Sequence, residues 1–156
     1  TAAKELIEDA GDFDIIIVPV GGGGLLSGTA LSTKQLLPNC KVIAAEPAGA
    51  ADAFQSFHTK NWVPSENPNT IADGLLTSVG QRNFIIILDK VDDVVTVTEE
   101  NIIAAMRMIW ERMKIIIEPS SAVPLAAILE GKVDIENKKV GIIISGGNLD
   151  LGSLPF

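Results

Sequence analysis

Residues 18–29 read VPVGGGGLLSGT, so four consecutive glycines, Gly21–Gly24, separate an apolar run from a segment with helical spacing. Glycine loses more backbone entropy on folding than any other residue, so a run of four needs a compensating role. Glycines at such a junction let a ligand approach the backbone, and the first-turn N–H groups of a helix are free and lie at its positive end. One or two glycines would indicate only a close-packed turn, whereas four in this place predict a cradle for a phosphate group.

The segments around the glycines alternate between extended and helical patterns, and residues 47–83 are irregular and turn-rich. Strands are predicted at Phe13–Val20, Lys41–Ala45, Ile85–Leu88, Asp93–Val97 and Val140–Ile144. Helices are predicted at Ala2–Ala10, Leu25–Leu37, a short segment near Ala50–Phe57, a segment N-capped by Thr98, and one from Ser120 or Ser121 to about Glu130. This alternation predicts one α/β domain, a three-layer sandwich with a mainly parallel sheet and helices on both faces.

The glycine run does not complete either of two common nucleotide-binding motifs. A P-loop requires lysine after its last glycine, but Thr29 follows Gly28. A dinucleotide fingerprint starting at Gly22 requires glycine or alanine where Ser27 stands. Glu46 follows the second strand, where a ribose-binding acid would lie, so a nucleotide stays open as a weak alternative.

A second glycine turn, Ser145–Asn148, follows the last predicted strand. The carboxyl ends of parallel strands meet at one edge of a sheet, and ligands bind there. The hydroxyl of Ser145 is therefore expected near the phosphate cradle, although the residue alone would indicate only a turn serine.

Composition excludes several classes of protein. The formal net charge of −8 argues against a nucleic-acid partner, and no apolar run is long enough to cross a membrane. No signal-peptide pattern opens the chain, and the single Cys40 rules out an internal disulfide, so a cytoplasmic protein is expected. The chain begins at Thr1 and not at methionine, which suggests a truncated or processed piece.

Six motifs in order resemble the serine racemase and serine/threonine dehydratase family of fold type II enzymes dependent on pyridoxal phosphate (PLP). They read GGGGLLSG, AAEPAGAAD, TIADGL, DDVVTVTEENI, ERMKIIIEPSSAVPLAA and SGGNLDL. The resemblance covers nearly the whole chain and implies that residues 1–156 form the C-terminal part of the large, PLP-binding domain. It implies a serine racemase with serine/threonine ammonia-lyase activity. The alternatives are a catabolic threonine/serine dehydratase and a non-catalytic domain that binds a phosphate ligand.

The resemblance also implies which residues hold the cofactor. Gly21, Gly22, Gly23 and Gly24 would bind the phosphate of PLP, and Ser145 would hydrogen-bond the pyridine nitrogen. Gly74 would lie against the ring, and Glu118 would lie near its far edge. A neutral serine at the pyridine nitrogen leaves the ring largely unprotonated, which weakens it as an electron sink and is compatible with β-elimination and with reprotonation at Cα.

Glu46, Ala50 and Asp52 are the candidate metal ligands. Two carboxylates and a carbonyl are hard oxygen donors suited to Mg²⁺ or Ca²⁺. By spacing alone, Glu46 would cap a turn and Asp52 would start a helix. The family resemblance instead implies a structural and activating divalent cation, Mg²⁺ or else Ca²⁺ or Mn²⁺.

No catalytic residue is assigned in this chain. The family forms its Schiff base through a lysine in an S-x-K-x-R motif; Ser32-Thr33-Lys34 imitates it, but Leu36 stands in place of the arginine. The lysine-bearing part and the small domain that holds the substrate carboxylate are thus expected to be absent, and the chain alone is expected to be inactive.

The resemblance implies two partners besides a serine or threonine substrate. One is a second copy of the complete enzyme in a homodimer. The other is an ATP-like nucleotide activator, whose contacts would be Arg112, Lys114, Asn148 and Asp150. Arg112 and Lys114 have a simpler interpretation as cations that complement a helix C-terminus.

Overall fold

The computed structural model describes all of residues 1–156 and contains a four-stranded, all-parallel sheet of order β3-β2-β1-β4. The strands are β1 (Ile15–Pro19), β2 (Lys41–Pro47), β3 (Asp93–Val97) and β4 (Val140–Ile142). The α-helices are α1 (Ala2–Ala10), α2 (Gly24–Leu36), α3 (Asp52–Thr59), α4 (Gln81–Lys90), α5 (Glu99–Met113) and α6 (Pro119–Leu129). Three 3₁₀ turns lie at Ala48–Ala50, Asp73–Leu75 and Leu151–Ser153. No helix is both long and apolar enough to cross a bilayer.

The sheet is buried on both faces, which confirms the three-layer prediction. Along β1, Ile15 and Ile17 pack into one core with α5 and α6, while Ile16 and Val18 pack into a second core with α1–α4. Successive side chains of a strand point to opposite faces, so a continuous apolar run is what a central parallel strand requires. Each layer of helices thus covers one face of the same strands.

The predicted strand at Ile85–Leu88 is wrong, because these residues lie within helix α4. Phe84, Ile87 and Leu88 pack against the second core, whereas Ile85 is 69% exposed. The spacing i, i+3, i+4 fits a helix with one buried face, and a short apolar run does not distinguish a strand from such a helix. The other predicted elements are present with shifted ends, among them α3, and α5 is N-capped by Thr98, whose Oγ1 accepts from Asn101 N at 3.4 Å.

Cys40 lies in the second core with 2% of its surface exposed, and burial raises the pKa of its thiol to about 11. We therefore expect Cys40 to resist thiol reagents at pH 8, where about one molecule in a thousand would carry the thiolate. Because the folded state holds this proton more tightly than the unfolded state, stability is unaffected at neutral pH and falls as the pH rises from about 9 to 11.

The measurement is the rate of labelling by a disulfide-exchange reagent, with the protein unfolded in concentrated guanidinium chloride as the fully reactive control. Complete labelling of the folded protein within the time needed by the unfolded control would contradict the burial of this thiol.

Candidate functional site

The sheet places two loops at one crevice. The chain continues from β1 to β2 and β3 on one side, whereas β4 pairs with the opposite edge of β1. The loops that follow β1 and β4 therefore diverge and leave a crevice beyond the carboxyl ends of these two strands. Parallel α/β sheets bind ligands at such a point, where the strand order changes direction. Gly21–Gly24 follow β1, and Ser145 follows β4, so both predicted glycine turns lie at this crevice.

The glycine run has N–H groups that are not hydrogen-bonded within the chain. The N–H groups of Gly21, Gly22 and Gly23 donate to no acceptor in the chain, whereas the carbonyl of Gly22 accepts from Gly80 N at 3.1 Å and from Asn83 Nδ2 at 2.7 Å. Gly23 has φ 84° and ψ −1°, a left-handed conformation that favours glycine. The loop is therefore anchored through a carbonyl and leaves free donors at the N-terminus of α2, as an anion requires.

Gly74 and Leu75 form the opposite wall. A Cβ added at Gly21 would lie 3.0 Å from Leu75 Cα and 3.2 Å from Gly74 O, so the two backbones are in direct contact. Gly74 N donates to Ser120 Oγ at 3.1 Å, which fixes this wall on the first turn of α6.

These elements enclose a cavity of about 250 Å³. Its lining residues are Pro19, Gly21, Gly22, Gly23, Gly24, Leu25, Leu26, Gly74, Leu75, Glu118, Ser120 and Ser145. All seven residues that the sequence predicts for the cofactor thus lie around one cavity.

Ser145 is held in place by a neighbouring turn of α6. Its Oγ lies 3.1 Å from Ser121 Oγ, and Ser121 Oγ also accepts from Gly146 N at 2.7 Å. Glu118 Oε2 accepts from Asn148 N at 3.0 Å, and a Cβ at Gly146 would lie 3.0 Å from Glu118 Oε1. Glycine at position 146 therefore lets the Glu118 carboxylate lie directly against the turn that carries Ser145.

Glu46 and Asp52 are buried carboxylates, 1% and 3% exposed. Glu46 accepts from Ala53 N at 2.9 Å and from Phe54 N at 2.8 Å, and burial raises its pKa to about 8. Asp52 Oδ2 accepts from Val79 N at 3.0 Å, burial raises its pKa, and its Oδ1 has no hydrogen-bond partner. The chain contains no cluster of three or more His, Cys, Asp or Glu side chains that could hold a metal, so a cation here would need main-chain and water oxygens.

The orphaned Asp52 Oδ1 fits a divalent cation, because an oxygen without a partner in the protein is a free ligand. Ala50 and Asp52 line one cavity of about 350 Å³, which leaves room for coordinating water. Glu46 does not line it, and each of its two oxygens accepts one N–H group at the start of α3, which leaves one further lone pair on each oxygen for a cation.

The four residues predicted to contact a nucleotide do not surround one cavity. Asn148 and Asp150 line a cavity of about 580 Å³ with Thr70, Asp73 and Ser153, but neither Arg112 nor Lys114 lines it. Lys114 ends α5 in a left-handed conformation with φ 59°, in keeping with the simpler interpretation that it complements the helix C-terminus.

No lysine lines the cavity around the glycine run. Lys34 lies at the other end of the sheet, where its Nζ donates to Cys40 O at 2.8 Å and pairs with Asp92 at 2.7 Å. Cys40 directly precedes β2 and Asp92 directly precedes β3, so this lysine is on the amino edge and far from the glycine loop.

Several contacts of the site are not among the residues predicted from the sequence, and three of them hold its walls together: Leu75, Ser120 and Ser121. Serines at the start of a helix are ordinary, and nothing in their spacing indicates that one contacts Gly74 and the other Ser145. The motif IEPSS offers the only signal for the two serines, because it places them two and three residues after Glu118.

The sequence profile of the family described as pyridoxal-phosphate dependent enzyme matches residues 1–146 of the chain. The chain therefore belongs to this family of enzymes, and its relatives confirm the resemblance to serine racemases and ammonia-lyases.

Serine racemase of Dictyostelium discoideum is 57% identical over 159 residues, a match that covers 99% of this chain and 49% of the relative. L-threo-3-hydroxyaspartate ammonia-lyase of Saccharomyces cerevisiae is 45% identical over 152 residues, covering 97% of this chain and 47% of the relative. The crystal structure of the threonine deaminase of T.th. matches with a TM-score of 0.90 at 38% identity, covering 96% of this chain and 55% of that one. The chain spans about half the length of the curated relatives it matches.

Proposed function

We propose that the chain is the C-terminal part of the PLP-binding domain of a serine racemase with serine/threonine ammonia-lyase activity. The observation that carries the proposal is the set of free N–H groups of Gly21–Gly23 in a cavity that Gly74, Glu118 and Ser145 also line. The related proteins are named for serine, 3-hydroxyaspartate or threonine, amino acids that share a β-hydroxyl group, so the substrate proposed is a β-hydroxy amino acid.

The residues of the cavity fit PLP in charge and in shape. The free N–H groups and the positive end of α2 would bind the dianionic phosphate. Because Gly21 and Gly74 have no side chains, the glycine run packs directly on Gly74 and Leu75, and Gly74 packs directly on Ser120, which sets the walls of the cavity. Ser145 supplies a neutral hydroxyl for the ring nitrogen. When bound, PLP withdraws electrons from the Cα of an amino acid, which makes its proton removable.

A lysine for covalent attachment of PLP would come from a part of the protein other than residues 1–156. None of the nine lysines of the chain lines the cavity, and Lys34 is engaged at the opposite edge of the sheet. Proton removal at Cα needs such an amine close to the substrate.

We expect residues 1–156 alone to produce neither pyruvate nor D-serine from L-serine in the presence of PLP, because no amine lies at the cavity. The full-length product of the gene should produce one or both. Both products are measured by coupled assay and chiral chromatography. The proposal would be contradicted if the 156-residue chain turned over L-serine and its Lys34→Ala variant did not. A full-length product that binds PLP without turnover would favour the non-catalytic alternative.

We also propose that Glu46, the carbonyl of Ala50 and Asp52 bind a divalent cation of the size of Mg²⁺ or Ca²⁺. The support is the unpaired, buried Oδ1 of Asp52 together with the cavity that Ala50 and Asp52 share. A cation would favour the charged form of both carboxylates, which burial opposes. The role proposed is structural, because this cavity and the cofactor cavity have no lining residue in common.

Asp52→Asn is expected to remove the stabilisation of the fold by Mg²⁺ or Ca²⁺, because the amide keeps an acceptor for Val79 N but loses the charge. At a cation concentration of about 100 times Kd, that stabilisation amounts to about 2.7 kcal/mol. The measurement is the thermal midpoint with and without the cation. Asp89→Asn, which changes an exposed carboxylate on α4, is the matched control and should keep the full response. An unchanged cation response in Asp52→Asn would contradict the site.

The remaining parts of the proposal are a homodimer, ATP as an activator and a cytoplasmic location. They rest on the family resemblance. Two exposed apolar side chains, Met113 at the end of α5 and Ile116 in the loop that follows, are in keeping with a contact surface there.

A further inference from the structure

Ser121 lies at the centre of the contacts that hold Ser145. Its side chain is fully buried, with 0% of the residue exposed, in the first turn of α6. Its Oγ lies 2.7 Å from Gly146 N, 2.7 Å from Gly146 O and 3.1 Å from Ser145 Oγ. One hydroxyl group thus contacts two polar atoms of the turn and the side chain that faces the cofactor cavity.

As long as the hydrogen bond between Ser121 and Ser145 is kept, the hydrogen atoms at this junction can be distributed in two ways. Gly146 N always donates to Ser121 Oγ, and Ser121 has one hydrogen of its own. If Ser121 donates to Gly146 O, Ser145 donates to Ser121 and presents only lone pairs to the cavity. If Ser121 donates to Ser145 Oγ, the hydrogen of Ser145 is free to point into the cavity.

The second arrangement leaves the half-buried carbonyl of Gly146 with a partner. Gly146 O also accepts from Glu118 N at 3.2 Å, so it keeps a partner when the hydrogen of Ser121 turns to Ser145. Because a carbonyl shielded from water is costly to leave without a partner, this second donor makes the outward-donating state of Ser145 accessible.

We propose that Ser121 is a positioning residue that lets Ser145 act as a hydrogen-bond donor to an unprotonated pyridine nitrogen. Ser121 donates to Ser145 and thereby orients and polarises its hydroxyl, since hydrogen bonds in a chain strengthen one another. If the ring nitrogen were protonated, the direction of the hydrogen bonds would reverse: Ser145 would accept from the nitrogen and donate to Ser121. The inference rests on the proposed function, because it requires the ring nitrogen of PLP at Ser145.

The test is the ¹⁵N resonance of the ring nitrogen of isotopically labelled PLP bound to the full-length product of the gene. The variants are Ser121→Ala, Ser145→Ala and the double variant. Both single variants should move the resonance in the same direction, and the double variant should match Ser145→Ala because Ser121 acts through Ser145. PLP affinity should fall by roughly 2- to 10-fold in Ser121→Ala, as for the loss of one hydrogen bond.

Ser56 provides a matched control for the structural part of the effect. It is 1% exposed and, like Ser121, bonds both the N–H and the C=O of one residue, here Val63, at 2.8 and 3.3 Å. Ser56→Ala should lower the thermal midpoint without moving the ring resonance. If Ser121→Ala does not fold, Ser121→Cys, which keeps a weaker donor, should give a shift in the same direction.

A Ser121 variant with a lowered thermal midpoint and an unmoved ring resonance would overturn the inference and leave the proposed function intact. If the shifts of the ring resonance in the two single variants added up in the double variant, the inference would be overturned and the proposed function would again remain intact. Absence of bound PLP in the wild type, or an unmoved resonance in Ser145→Ala, would overturn both.

Discussion

Replacement of Gly23 by valine is expected to weaken the binding of PLP at least about 100-fold. Gly23 adopts φ 84°, a conformation that a β-branched residue takes at a cost of about 1–2 kcal/mol. A Cβ there would also lie 3.0 Å from Asn83 Cβ and 3.2 Å from Ile87 Cδ1, so the loop would have to move. Movement would misplace N–H donors to a charged phosphate, each worth about 1.5–3 kcal/mol, and the loss of two corresponds to about 100-fold or more.

The measurement is a fluorescence titration of the full-length gene product with PLP. Gly28→Ala is the matched control, because Gly28 lies within α2 and an added Cβ would have no neighbour within 4 Å. Alanine in a helix interior is favoured over glycine, so this variant should be as stable as the wild type or more stable. Wild-type affinity in Gly23→Val would show that the phosphate does not depend on this loop.

Replacement of Gly49 by valine is expected to lower the thermal midpoint by roughly 5–15 °C, from a destabilisation of about 2–4 kcal/mol. An added Cβ would lie 1.9 Å from Asn69 O and 3.0 Å from Asn69 C, both backbone atoms that no side-chain rotation can clear. The hydrogen bond from Asn69 N to Gly49 O, 2.8 Å long, would break as the two segments separate.

The same substitution should also weaken PLP binding, because the displaced segment continues to Gly74 and Leu75 in the wall of the cavity. Thermal unfolding and PLP titration measure the two effects. Ala48→Val, at an exposed position of the same 3₁₀ turn, is the control and should change stability by no more than about 0.5 kcal/mol. A Gly49→Val protein as stable as this control would contradict the close contact with Asn69.

The fold was largely predictable because β1 and β2 are buried on both faces. A continuous apolar run such as Ile15–Val18, directly before a glycine turn, fits few structures besides a central parallel strand. The apolar run at Ile85–Leu88 was misassigned because only its contacts with the second core, and the exposure of Ile85, reveal a helix. The local sequence pattern determines the secondary structure of strongly periodic segments, whereas tertiary packing determines that of short apolar segments.

The site was predictable only where a residue type is unusual in its place. Four glycines after a strand are rare enough to indicate a ligand, and the order of motifs adds Gly74, Glu118 and Ser145. Ser120 and Ser121 could not be identified, since their partners lie 46 and 24 or more residues away and the contacts exist only in the folded chain. The cation ligands fall between these cases, because Glu46 and Asp52 have an equally good local role at the start of α3.

The most direct test of the central claim is a crystal structure of the full-length gene product with PLP bound. We expect phosphate oxygens within hydrogen-bond distance of the N–H groups of Gly21, Gly22 and Gly23, with the ring nitrogen at Ser145 Oγ. A phosphate bound elsewhere, with those three N–H groups still unpaired, would contradict the central claim.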